Sequence, residues 1–125
     1  MKADLVEAWL FQEGYWHEID QDGDLHFKYD GKHMYFSPDD DPTYFRVSMP
    51  GIYKLENNRV KVLEACNTIT RNYKVLKAFL NNDSLWLSME MFVDSTPEVG
   101  DFMDRCCRIL VNGFNDIAKE ILGDN

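Results

Sequence analysis

The sequence predicts an α+β fold: one antiparallel sheet of about five to six strands, with helices at the N-terminus, in the middle and at the C-terminus. Three observations lead there. Aromatic-rich runs with a period of two come in pairs, joined by short turns rich in Asp, Asn and Gly. Apolar residues at helical spacing lie before, between and after these pairs. Strands grouped in consecutive hairpins, rather than alternating singly with helices, give an antiparallel sheet. The expected order is α-β-β-β-β-α-β-β-α, within a single domain over residues 1–125.

Leu5, Val6, Trp9 and Leu10 recur at helical spacing and Gly14 is a natural stop, so residues 3–13 read as the first helix. The period then changes. Tyr15 to Ile19, a turn at Asp20-Gln21-Asp22-Gly23, and Asp24 to Tyr29 form a hairpin. With Gly23 in the left-handed position, Ile19 faces Leu25, His17 faces Phe27 and Tyr15 faces Tyr29 on one side. Glu18–His26 and Trp16–Lys28 then pair on the other, as an ion pair and a cation–π contact. Asp30-Gly31 suits a type I′ turn into a third strand, 32–37, which sets Phe27 opposite Met34 and Leu25 opposite Phe36.

The run from Ser37 to Pro42 reads as a surface loop, since its prolines lack a donor and its acids repel. Thr43 to Met49 is a fourth strand, ended by Pro50-Gly51. Residues 57–71 form a second helix with Val62, Leu63, Cys66 and Ile69 on one stripe and Asn57 or Asn58 as cap. A second hairpin runs from Tyr73–Leu80 to Leu85–Phe92, turning at Asn82-Asp83 and setting Phe79 opposite Trp86 and Tyr73 opposite Phe92. For the last helix, Thr96 is the expected cap, Pro97 the first helical residue and Gly123 the close. Its stripe runs from Val99 through Phe102, Met103, Cys106, Leu110, Gly113, Phe114 and Ile117 to Leu122.

Composition narrows the function classes. In 125 residues, 45% are hydrophobic and 14% aromatic, enough for a core without staples. Acidic residues outnumber basic ones by 22 to 13, for a net charge of −9. The lysines and arginines are scattered singly, so neither nucleic acid nor an anionic membrane surface is an expected partner. The three cysteines are odd in number and show no metal-type spacing. Free thiols, no apolar run of bilayer length and an acidic, non-signal start point to a soluble cytoplasmic protein.

Candidate chemistry is sparse. Asp20, Asp22 and Asp24 resemble the start of a calcium loop, but Leu25 and Gly31 occupy the positions where such a loop needs glycine and a bidentate glutamate. A solvated turn is the better reading. Asp39-Asp40-Asp41 supports at most a weak surface cation contact. His26 and His33 lie diagonally on the outer sheet face, near Glu18, Lys28 and Tyr35. A Glu18/His26/Tyr35 set is the one available general-base or metal-dependent enzyme arrangement, and cross-strand surface pairing is its plainer alternative. Glu90 is expected to pair with Lys77. No metal, cofactor or catalytic residue is expected.

The aromatics carry more. One sheet face belongs to the helices, and the other receives Trp16, Tyr35, Tyr73, Phe79, Trp86 and Phe92. An apolar patch of that kind marks a self- or partner-binding surface. The alternative is that a helix, or the segment 49–56, covers it.

The run Asp39-Asp40-Asp41-Pro42-Thr43-Tyr44-Phe45-Arg46-Val47-Ser48-Met49-Pro50, Asn67 on the following helix, Tyr73-Lys74-Val75-Leu76-Lys77 and Leu85-Trp86-Leu87-Ser88-Met89-Glu90 resemble YbjN-like bacterial proteins, a family of sensory transduction regulators. These share the fold of type III secretion chaperones. The resemblance implies a non-enzymatic domain, regulatory or chaperone-like, that binds a polypeptide or itself as a homodimer. An enzyme, or a structural accessory subunit whose apolar face a partner buries permanently, are the other readings.

Overall fold

The computed structural model describes residues 1–123. It has the predicted α+β order, with three α-helices and one six-stranded antiparallel sheet. The elements are α1 (Asp4–Glu13), β1 (His17–Ile19), β2 (Leu25–Tyr29), β3 (Lys32–Phe36), β4 (Tyr44–Lys54), α2 (Arg59–Asn72), β5 (Leu76–Asn81), β6 (Ser84–Phe92) and α3 (Met103–Leu122). Across the sheet the strands run β1-β2-β3-β4-β6-β5, so β3 and β4 lie at its centre and β1 and β5 at its edges.

The first two turns are built as their residues dictate. Asp20 Oδ1 accepts from the backbone N–H groups of Asp22 at 2.9 Å and Asp24 at 3.0 Å, while Gly23 takes a φ of 85°. That carboxylate is occupied by its own turn, as the solvated-turn reading requires. Asp30 and Gly31 both have positive φ, as a type I′ turn demands. The pairs His17–Phe27, Ile19–Leu25, Phe27–Met34 and Leu25–Phe36 all form as predicted.

Four elements depart from the sequence reading. Strand β4 does not end at Pro50-Gly51 but continues to Lys54, with its register against β6 shifting between Met49 and Tyr53. Proline is tolerated within a strand where a bulge interrupts the ladder, because no donor is required there. Strand β5 starts at Leu76 rather than Tyr73, since Val75 turns into the left-handed region with φ 55° and ends the pairing. Tyr73 is thus left out of the ladder, and Phe92 has its register partner on the other side, Tyr44 of β4. The last helix is not continuous from Pro97. A 3-10 turn at Val99–Asp101 comes first, and Phe102 leaves the helical region so that its ring meets Phe45 edge-on at 5.1 Å. At α2, Asn58 occupies the cap position without capping. Its Oδ1 accepts from Glu56 N–H and its Nδ2 donates to the Tyr53 hydroxyl.

The core lies between the sheet and the helices. Leu25, Phe27, Met34, Phe36, Phe45, Val47, Leu85, Leu87 and Met89 alternate along their strands into it, against Leu10, Ile69, Met103 and Leu110. Helix α3 crosses the sheet so closely at Gly113 that a Cβ there would stand 2.5 Å from Leu76 Cδ2. Cys107, which its place beside the predicted stripe left outside the core, is wholly buried, as are Cys66 and Cys106. Helix α2 closes the β5 edge: Ala78 N–H donates to Thr70 Oγ1 at 3.0 Å, and that hydroxyl faces Ala78 O at 3.4 Å.

Candidate functional site

All three helices leave one sheet face to solvent, and the ladders define its layout. A single transverse row crosses the whole sheet: Glu18, His26, Tyr35, Ser48, Ser88 and Lys77 stand opposite one another in turn. The row is acidic at the β1 end and basic at the β5 end. Its centre is two serines, both buried, flanked by the taller Tyr35 and Lys77.

Aromatic side chains gather at the two ends of this row rather than along it. At the first end Trp16 meets the His26 ring edge-on at 5.1 Å, and His26 stacks on Tyr35 at 4.5 Å with 7° between planes. Lys28 Nζ lies 5.6 Å from the Trp16 ring centre, the cation–π contact expected from the register. At the second end Phe79 and Trp86 pack at 6.0 Å, with Lys77 Nζ 5.3 Å from the Phe79 ring. Tyr35 on β3 and Trp86 on β6 are two strand spacings across and two residues along the sheet from each other, about 12 Å.

Beside this row, on the side away from Trp86, lies a polar strip centred on Glu90. Its carboxylate accepts from Lys77 Nζ at 2.7 Å, from Ser88 Oγ at 2.9 Å and from the Tyr44 hydroxyl. Burial works to raise its pKa, but these three donors outweigh burial and hold it down at about 2. Tyr44 moves the opposite way, up to about 12, through burial and then its bond to Glu90. Arg46 is opposite Glu90 in register, yet its Nε is buried with no hydrogen-bond partner among the described residues.

The six aromatics expected to share one surface are therefore divided. Trp16 and Tyr35 belong to the first cluster, Phe79 and Trp86 to the second. Phe92, 80% exposed, stands opposite Tyr44 beyond the polar strip. Tyr73 lies away from this face. Its hydroxyl donates to Asp116 of α3, and burial together with that bond pushes its pKa up to about 12. The sequence reading missed His26 as an aromatic member, and it missed the Ser48–Ser88 centre. Pairing β4 with β6 in register would have found the serines. Helix α2 exposes a smaller apolar patch at Val60 and Leu63, one turn apart.

Glu18, His26 and Tyr35 do come together, with Glu18 Oε1 3.4 Å from His26 Nδ1. They stand on an open strand surface and line none of five clefts found among the described residues, one of which is formed by Leu55, Asn58 and Arg59 at the start of α2. Burial pushes the thiols of Cys66 and Cys106 up to about 11, away from the reactive thiolate range. Among the described residues no three His, Cys, Asp or Glu side chains are grouped to hold a metal ion, and no helix is long and apolar enough to cross a membrane.

Residues 2–124 match the family model described as T3SS (YopN, CesT) and YbjN peptide-binding chaperone 1. The chain belongs to this family. No curated protein matches it. Among solved structures, an uncharacterized protein from Methanothermobacter thermautotrophicus is similar at 11% identity with a TM-score of 0.59, covering 98% of this chain and 95% of the other. The Yersinia pestis type III secretion chaperone SycH, solved in complex with a stable fragment of YscM2, is similar at 16% identity with a TM-score of 0.58, covering 98% of both chains. At these identities the likeness establishes a shared fold. The family is a peptide-binding chaperone module, and in this member the solvent-facing side of the sheet holds partly exposed aromatics at both ends of a polar row.

Proposed function

We propose that this chain is a non-enzymatic, cytoplasmic peptide-binding module, chaperone-like or regulatory, that works as a homodimer and receives an extended or amphipathic polypeptide segment on its open sheet face. The observation that carries this reading is the pair of aromatic clusters, Trp16–Tyr35 and Phe79–Trp86, set about 12 Å apart diagonally across a shallow serine centre. Apolar residues of a bound segment would seat on the two clusters, while its polar residues meet the Lys77–Glu90 strip and Arg46. A segment that seats two apolar side chains across such a gap gains affinity from packing, and the fixed polar strip sets register. Three buried free thiols support a reducing compartment, and the exposed Val60–Leu63 patch on α2 gives apolar area for a second copy.

The test is selection of peptides from a random library on the full chain, followed by affinity measurement for the best binders. Trp86→Ala and Trp16→Ala should each weaken these at least tenfold while the thermal midpoint stays near that of the parent. Equal affinity in both variants removes the sheet face as the site, and failure to enrich any peptide removes peptide binding itself. Sedimentation velocity of the parent should give a dimer mass; a monomer at all concentrations ends the homodimer reading.

A further inference from the structure

His26 and His33 are the one pair of imidazoles on the open face, and their arrangement goes beyond aromatic packing. Nε2 of His26 and Nδ1 of His33 face each other at 2.7 Å, across the diagonal of the β2–β3 ladder. On the far side of the first ring, Glu18 Oε1 stands 3.4 Å from His26 Nδ1. A carboxylate there draws the ring proton to Nδ1 and leaves the Nε2 lone pair directed at His33.

From this geometry we propose a two-imidazole site for a divalent transition-metal ion, with His26 Nε2 and His33 Nδ1 as its protein ligands and water in the remaining positions. Two imidazole nitrogens bound at 2.0–2.1 Å to one ion stand about 2.9–3.4 Å apart for bond angles between square-planar and tetrahedral. The N–N separation has to open by only a few tenths of an ångström, while the His33 nitrogen swings about 2 Å aside so that the two lone pairs converge instead of facing. The two rings divide that task. His26 is held, stacked on Tyr35 at 4.5 Å and edge-on to Trp16 at 5.1 Å, so its direction is set before an ion arrives. His33 is exposed and free to rotate, with its proton moved to Nε2 when Nδ1 coordinates.

Glu18 does not ligate; it orients a ligand, as carboxylates behind metal-bound histidines do. Lys28, the cross-strand neighbour of His33, is the charge that opposes a cation here, and its ammonium is drawn away over the Trp16 ring at 5.6 Å. An all-imidazole first shell with open positions selects borderline metals, in the order Cu²⁺ above Ni²⁺ and Zn²⁺, and disfavours Mg²⁺ and Ca²⁺. The inference concerns the chain alone and does not depend on peptide binding.

Isothermal titration of the full chain with Cu²⁺ and, separately, with Zn²⁺ tests it. One equivalent per chain is expected, with Cu²⁺ the tighter. His33→Gln, at an exposed position that leaves the fold intact, should weaken binding at least tenfold, and His26→Gln likewise. Glu18→Gln should weaken it about tenfold, at the low end of the usual effect of an orienting carboxylate. His17→Gln, on a histidine bonded to the Tyr15 carbonyl, should leave it unchanged. Stoichiometric binding that survives His33→Gln overturns the proposal, and so does a parent chain that takes up no equivalent of either ion.

Discussion

Val75 holds a φ of 55°, a region that a β-branched residue occupies only under strain. It is half-exposed, so its side chain gains little from packing there. Asparagine enters the left-handed region readily, and Val75→Asn should stabilise the fold by about 1 kcal/mol, read as a higher urea midpoint. Glu90 makes the opposite kind of contribution. Its carboxyl ionises at about 2 in the folded chain against an ordinary 4.5, so its stabilisation is complete above pH 4.5 and lost as pH falls toward 2. With a side chain one-fifth exposed, solvent screening limits this to roughly 2 kcal/mol. Glu90→Gln should lower the urea midpoint at pH 7 and lower it about half as much at pH 3; an equal loss at both values would show that the charge is not what Lys77, Tyr44 and Ser88 stabilise. The partnership of Glu90 with Lys77 was legible in the sequence because cross-strand neighbours follow from a turn. The bond from Tyr44 was not, because it needs the distant β4–β6 pairing.

At the scale of elements, hairpins were the most legible feature, and their ends the least. Each local register followed from two or three turn residues whose φ values only certain side chains accept. The ends depend on tertiary contacts that no local pattern records. Pro50 is accommodated by a bulge against β6, and Phe102 breaks the run into α3 to reach Phe45. The β5 edge is a further case, since nothing in the β5 sequence announces that α2 covers it. Thr70 Oγ1 accepts from the Ala78 N–H that would otherwise face outward, which removes a bare edge at that point. Thr70→Val keeps the shape and deletes the acceptor. It should cost about 1–2 kcal/mol and speed hydrogen exchange at Ala78, and unchanged exchange there would mean that helix packing alone protects the edge.

For the whole molecule, what the sequence exposed was a sheet with two unlike faces, and what it concealed was the plan of the outer one. Period-two alternation assigns a residue to a face but says nothing of where strands distant in sequence place it across the sheet. Trp16 and Trp86 thus looked like members of one patch, while the order β1-β2-β3-β4-β6-β5 sends them to opposite ends of a polar row. Tyr73 was misplaced for a related reason, because its face depended on a strand that Val75 cuts short. The inner face has the simpler logic of one core, and its thiols report on it. Cys66 sits on α2 and Cys106 and Cys107 on α3, all buried where these helices meet the sheet, and burial holds each thiol well above the thiolate range. If helices and sheet open as one unit, the three should react with a thiol reagent at a single slow rate set by global unfolding. That rate should rise together for all three as urea approaches the midpoint, measured by mass spectrometry of labelled peptides. Early labelling of Cys66 alone would instead mean that α2 detaches on its own, exposing the β5 edge that Thr70 guards.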